Sequence, residues 1–235
     1  MFGNNEPLPR HKSDGTFLQV QEIFRTIQGE GPDAGTPATF IRLWGCHLHC
    51  WFCDTDFMSN QQLHAISEIA CFCRGGPRLV VLTGGEPMRQ NVAPLVRQLI
   101  RYGHRCQIET AGSFDFHDEW WPNGSECSVV ISPKTPAVDA SLAMKALAYK
   151  YVISANLHAS EADGLPVVNY QERGGAAHKL ARPPWLASSP ERIFVQPMDE
   201  QEPIANRANA ARCAELALRF GYRVSLQTHK ILGVP

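Results

Sequence analysis

No apolar run in this chain is long enough to span a bilayer, and the first fifteen residues, broken by Pro7, Pro9 and Gly15, lack the apolar core of a secretory signal. There is no basic block either. Charged residues make up 19% of the chain and nearly cancel, to a net charge of −1. A polyanion such as nucleic acid is therefore not an expected partner. These absences point to a soluble cytoplasmic protein with a loose stretch over residues 1–15. What the chain does have is apolar content, 44% of 235 residues, enough for one sizeable core and most simply one domain.

It also has eight cysteines, which in a reducing compartment are ligands or ordinary buried thiols. Cys71 and Cys73, inside the apolar stretch Ile69-Ala70-Cys71-Phe72-Cys73, read as core thiols on a helix. Cys106, Cys127 and Cys213 stand singly in apolar surroundings and read as structural too. Cys46-x3-Cys50-x2-Cys53 is different. It follows an apolar run and Gly45 and leads into Asp54-Thr55. Three thiolates can hold three irons of a 4Fe-4S cluster and leave the fourth iron open for chemistry. Disulfide pairing suits three such close cysteines badly. Structural zinc is the stronger rival, but it usually takes four ligands, often as two C-x2-C pairs. His47 and His49 could add a fourth only from within the same short loop, so iron–sulfur is preferred.

Short runs rich in Val, Ile and Leu suit strands covered on both faces. They fall at Thr39–Leu43, Leu79–Leu82, Cys106–Glu109, Ser128–Ile131, Lys150–Ile153, Ile193–Val195 and Arg223–Leu226. Val92–Tyr102 is expected to be a helix with Pro94 in its first turn and Gly103 as the stop. Ile204–Phe220 is expected to be another, with Ala211, Ala214 and Leu218 on one face and Gly221 as the stop. Repeated βα units imply an α/β fold with a parallel sheet. A closed eight-stranded barrel typically needs about 250 residues, so an incomplete parallel barrel fits better. Strand-end loops would then bring the cysteine loop, Thr83-Gly84-Gly85-Glu86, Glu109-Thr110, Ser132-Pro133-Lys134 and Gln196-Pro197-Met198-Asp199 to one mouth. Residues 155–190, rich in Gly and Pro, read as a loop-rich insertion, disordered or on the surface, with no chemistry and with His158 and His178 solvated.

The three-cysteine spacing together with Thr83-Gly84-Gly85-Glu86-Pro87 resembles the radical S-adenosylmethionine (radical SAM) enzymes, whose fold is an open (β/α)6 barrel. Further motifs narrow the likeness: Phe24-Arg25-Thr26-Ile27-Gln28-Gly29-Glu30-Gly31, Phe40-Ile41-Arg42-Leu43-Trp44-Gly45-Cys46, Cys53-Asp54-Thr55-Asp56-Phe57, and the closing Gln227-Thr228-His229-Lys230-Ile231-Leu232-Gly233-Val234-Pro235. From about Leu18 to the last residue, residues 155–190 excepted, the chain resembles the 7-carboxy-7-deazaguanine synthase family. Some members carry a longer insertion between the first two cysteines; this chain has the short spacing.

The resemblance implies conversion of 6-carboxy-5,6,7,8-tetrahydropterin to 7-carboxy-7-deazaguanine and ammonia, toward 7-deazapurine nucleosides such as queuosine. It implies SAM used catalytically, a Mg2+ ion, an external electron donor and a homodimer. The protein holds the reacting carbons close, at roughly 3–3.5 Å, and need supply no nucleophile. By the same resemblance Cys46, Cys50 and Cys53 ligate the cluster, and Thr55 binds Mg2+, with Asp54 and Asp56 nearby. Ile27, Gln28 and Gly29 form a pterin-contacting turn that reads the guanine-like edge, and Glu30 helps read the same edge. Arg42 takes the substrate carboxylate, and Thr83, His229 and Pro235, the last through its terminal carboxylate, also touch substrate. Gly85, Glu86, Ser132, Pro133, Lys134, Gln196, Pro197, Met198 and Asp199 fall to SAM, with Glu109 at the same mouth. Each has an ordinary structural reading as well: a turn threonine, a strand arginine paired with an acid, a helix cap, a fraying terminus. Two rivals stay open: a radical SAM activase that makes a glycyl radical on a partner protein, and a zinc-dependent binding protein without catalysis.

Overall fold

A computed structural model describes residues 6–116, 125–168, 170–171, 179–185 and 189–235. Among the described residues nine strands form one sheet: β1 (Phe17–Ile27), β2 (Pro37–Leu43), β3 (Gln62–Ala65), β4 (Leu79–Gly84), β5 (Arg105–Thr110), β6 (Cys127–Ile131), β7 (Ala148–Ile153), β8 (Ile193–Pro197) and β9 (Arg223–Val224). Their order is β3-β1-β2-β4-β5-β6-β7-β8-β9. From β2 through β9 every pairing is parallel, while β1 is antiparallel to both β2 and β3. The fold is thus an open, parallel-rich α/β sheet whose two edges, β3 and β9, do not meet. Helices α1 (Ile66–Cys73), α2 (Ala93–Arg101), α3 (Ala140–Lys145), α4 (Pro203–Phe220) and α5 (Thr228–Leu232) complete it. Among the described residues no helix is long and apolar enough to cross a membrane.

The pleat decides what each face does, because successive side chains point to opposite sides of a strand. Ile41 and Leu43 of β2, Val80 and Leu82 of β4, Cys106 and Ile108 of β5, Val129 and Ile131 of β6 and Val195 of β8 join Leu95, Leu99 and Leu216 of the helices in the main core. The alternate positions carry Arg42, Thr83, Glu109, Val130, Lys150 and Gln196, which line a cavity on the other face. Strand propensity and helix cover account for the first set. The second is too polar to serve a core.

Several expectations need correction. The antiparallel β1–β3 pair was not foreseen. In β1, Leu18 and Val20 alternate cleanly, but the register shifts between Val20 and Glu22, and that bulge breaks the period. On α4 the buried residues are Asn209, Cys213 and Leu216; Ala211, Ala214 and Leu218 face solvent, with Leu218 90% exposed. An asparagine holds the core position because its amide is fully used. Asn209 donates to the Met198 carbonyl and to Glu200, and accepts from Ala155 N. Cys71 is exposed, whereas Cys73, Cys106, Cys127 and Cys213 are buried.

Residues 8–11, expected to be loose, are tied to the cysteine loop and to the turn after β4: Leu8 N donates to Cys46 O and His11 N to Arg89 O, both at 2.8 Å. The 155–190 segment is not a mere surface excursion. Leu165, Tyr170 and Leu180 are buried in the main core, and Arg182 binds the Asp163 carboxylate at 2.8 Å. His158 is exposed, and His178 falls outside the described residues.

Candidate active site

Two glycines bring the cysteine loop against the loop after β4. Gly85 N donates to Leu43 O and Glu86 N to Gly45 O. A Cβ on Gly85 would stand 2.2 Å from Gly45 O, and one on Gly84, whose φ is +124°, 2.2 Å from Leu43 O. Both contacts are with backbone, so only glycine permits this approach. Glu86 is buried. Its carboxylate accepts from Met88 N, Thr110 Oγ1 and Ala111 N, at 2.9, 2.6 and 2.8 Å, so it caps the following 3-10 turn and ties β4 to the end of β5. Burial pushes its carboxyl up.

The loop so placed opens into a cavity of about 300 Å3. Cys46, Cys50 and Cys53 all line it. Burial raises all three thiols, Cys53 to about 11. Leu48 N donates to Cys46 Sγ at 3.4 Å, and Gln171 Nε2 to Cys50 Sγ at 3.3 Å. His47 does not line the cavity; its ring packs on Phe114 at 4.4 Å, and burial drops its pKa to about 4. His49 does line it. Among the described residues no three His, Cys, Asp or Glu side chains converge as around a single ion. What the three thiols share is a sheltered pocket and soft sulfur donors, a set whose chemistry suits an iron–sulfur cluster.

Across the cavity floor runs a network of acids and amides. Glu30 Oε2 pairs with Lys150 Nζ; Glu30 Oε1 accepts from Gln196 Nε2 at 3.0 Å and Gln227 Nε2 at 2.8 Å. Burial opposes the Glu30 charge, but the Lys150 ammonium beside it wins and holds the carboxyl below its usual value; Lys150 is held above its own. Glu109 Oε1 accepts from Gln28 Nε2 and Gln107 Nε2, and Gln28 Oε1 accepts from Glu30 N. Ser132 and Lys134 close one side, with Lys134 Nζ donating to Ser132 O and Oγ.

On the other side Arg42 leans over the Phe24 ring at 5.5 Å. Its Nε lies 3.0 Å from Glu22 Oε1, yet the angle makes no hydrogen bond, so this is a charge contact that leaves guanidinium donors for the cavity. Thr55 lines the cavity with its hydroxyl 3.4 Å from Asp54 Oδ1. These are hard oxygen donors, the kind Mg2+ takes. Asp56 is instead spent on its own turn, accepting from Met58 N and Ser59 N.

The C-terminal segment shuts one end. Lys230 Nζ bridges Asp54 at 3.1 Å and Asp199 at 2.6 Å. Thr228 N and Oγ1 both donate to Gly29 O. The His229 ring sits so close that a Cβ on Gly29 would fall 1.9 Å from its Nδ1. Pro235 O accepts from Thr26 Oγ1 at 2.7 Å, and Pro235 lines the cavity.

Of the residues expected at the site, Ile27, Gln28, Arg42, the three cysteines, Thr55, Thr83, Gly85, Glu86, Ser132, Lys134, Gln196, His229 and Pro235 line this cavity. Gly29, Pro133, Pro197, Met198 and Asp199 do not; Met198 is buried and Asp199 is the outer anchor of Lys230. The sequence reading missed Lys150 and the amide of Gln227. A lysine in the otherwise apolar strand Ala148–Ile153 was the available signal, since a buried ammonium needs a partner.

No family model matches the chain. It is 44% identical to the 7-carboxy-7-deazaguanine synthase of Rhodospirillum rubrum, over 100% of both chains. It is 36% identical to the enzyme of that name from Rickettsia prowazekii, covering 100% of this chain and 96% of that one. The Escherichia coli K12 counterpart is 31% identical, over 92% and 98%. The solved structure of QueE from Escherichia coli, 22% identical, covers 92% of this chain and 99% of its own with a TM-score of 0.63, and so shares the fold. By its similarity to these relatives along its whole length, the chain belongs to the 7-carboxy-7-deazaguanine synthase family.

Proposed function

We propose that the chain is a radical SAM lyase that converts 6-carboxy-5,6,7,8-tetrahydropterin to 7-carboxy-7-deazaguanine with loss of ammonia, on the route to 7-deazapurines such as queuosine. The observation that carries this reading is the meeting of three sheltered thiols with an acid–amide floor in one cavity. Membership of the synthase family supports it. A glycyl-radical activase has no use for that floor or for the latched C-terminal segment.

Cys46, Cys50 and Cys53 would hold the 4Fe-4S cluster. When bound, the cluster and SAM together supply a hydrogen-abstracting radical, fed by one electron from an external donor. The chain's own part is to bind, orient and exclude water. Glu30, Glu109 and Gln28 present acceptors and donors suited to the guanidine and amide edge of a pterin. Lys150 keeps Glu30 ionised, so that it can only accept. Arg42 offers its guanidinium to the substrate carboxylate. Thr55, with Asp54 beside it, is the candidate for Mg2+. Gly85, Ser132, Lys134 and Gln196 face the cavity where SAM would lie. Glu86 lines the same cavity but spends its carboxylate on Met88 N, Thr110 Oγ1 and Ala111 N, holding the loop in place. His229 and the chain end close the substrate side. A homodimer working in the cytoplasm completes the reading.

The test is anaerobic incubation of reconstituted protein with SAM, a low-potential reductant, Mg2+ and the carboxypterin, followed by mass spectrometry. The deazaguanine product is expected. Cleavage of SAM without that product would remove the substrate assignment while leaving the cofactor assignment standing.

A further inference from the structure

The segment between β7 and β8, which the sequence reading left without chemistry, reaches the cysteine loop. Tyr170 is fully buried, its hydroxyl donates to Val152 O on β7, and its ring meets Phe52 edge-on at 4.8 Å. Its carbonyl accepts from Trp51 N at 3.3 Å. Gln171, next in the chain, spends its side-chain amide on the same loop. Oε1 accepts from His49 N at 3.0 Å, and Nε2 donates to Cys50 Sγ at 3.3 Å.

The orientation of that amide follows from its partners. A backbone N–H can only donate, so the oxygen must face His49 and the NH2 must face the sulfur. The three thiols therefore differ. Cys46 Sγ accepts from a backbone N–H within its own loop, whereas Cys50 Sγ accepts from a side chain some 121 residues away in sequence. Only the second can be removed without touching the loop.

We propose that Gln171 is a positioning residue of the cluster site: its amide clamps the cysteine loop at His49 and its N–H bond to the Cys50 sulfur raises the cluster's reduction potential. The inference rests on the iron–sulfur reading given above. Reduction adds one electron from the external donor, and much of the added negative charge falls on the sulfurs. A donor dipole aimed at one of them favours the reduced state, and hydrogen bonds to sulfur are among the factors that set such potentials. The Tyr170 anchor gives that dipole a fixed place.

The experiment compares wild-type protein with Gln171→Leu and Gln171→Glu, each reconstituted anaerobically and titrated with dithionite under electron paramagnetic resonance. Glutamate keeps an acceptor for His49 N, loses the donor to sulfur and adds a negative charge that lowers the potential by itself; leucine loses both contacts and adds no charge. Both variants should have lower midpoint potentials, raising the oxidised-to-reduced ratio at a fixed potential on the order of tenfold, the size of one net hydrogen bond. Hydrogen exchange at the His49 amide, read on protein before reconstitution, should quicken in Gln171→Leu and not in Gln171→Glu. A folded Gln171→Leu that loses its cluster while Gln171→Glu keeps it supports the clamp. Wild-type potential in a variant that carries the cluster overturns the inference. Wild-type protein that takes up no iron or sulfide overturns the iron–sulfur reading itself, and the two failures are distinct.

Discussion

Replacing Lys150 by Met would strand the Glu30 carboxylate. The two side chains are 9% and 14% exposed, so neither charge is well served by water. Removing one partner of such a pair costs about 3–5 kcal/mol, because the remaining charge is left buried and uncompensated. That is a large share of the roughly 5–15 kcal/mol that holds a typical domain folded. The effect has a pH signature. In the wild type Glu30 lies below its ordinary 4.5 and Lys150 above its ordinary 10.5, so the pair contributes fully between those values. The Glu30 part is lost only as pH falls through its depressed pKa.

In Lys150→Met burial is no longer outweighed and the Glu30 carboxyl is raised instead. A raised carboxyl carries its full contribution below the unfolded value and loses it as pH rises through the folded one. The gap between variant and wild type should therefore be smaller near pH 4.5 than at pH 8. Urea unfolding at both pH values reads this directly. The double variant Lys150→Met with Glu30→Gln should recover most of the loss at pH 8, since no charge remains to be stranded. A single variant within about 1 kcal/mol of wild type at pH 8, or an unchanged pH dependence, would refute the reasoning.

Three further outcomes are expected. Gly85→Ala drives a methyl into Gly45 O and must part the two loops, costing about 1–3 kcal/mol and lowering iron uptake; wild-type iron content and unfolding midpoint would contradict the contact. Gly29→Ala expels the His229 ring, so KM for the pterin should rise while the cluster spectrum stays the same; an unchanged KM would contradict a role for that closure. Lys230→Ala removes two ion pairs that are partly exposed, so stability should fall by less than about 1 kcal/mol. KM should rise several-fold all the same, and equal activity would show that the latch is idle.

The parallel strands were legible because runs such as Leu79–Leu82 and Ser128–Ile131 are apolar and bounded by loops. The mouth was legible too, since Cys46, Gly85 and Ser132 follow strand ends and Gln196 lies at the end of β8. What stayed hidden was of two kinds. The bulge in β1 broke a period that would have marked the strand, and the four-residue β3 carries little propensity of its own. The other kind depends on partners distant in sequence. Nothing near Lys150 announces Glu30, nothing near Asn209 announces Met198 O, and Gln171 sits among Gly- and Pro-rich residues that gave no sign of reaching Cys50. Buried polar groups are chosen by the completed fold, so single-sequence patterns read them last.

The most direct test of the central claim is the electron paramagnetic resonance spectrum of anaerobically reduced protein, taken before and after addition of SAM. A cluster held by Cys46, Cys50 and Cys53 with one open iron should give a signal that shifts when SAM binds. Cys50→Ala should abolish it. A colourless protein, or a cluster signal indifferent to SAM, would contradict the account.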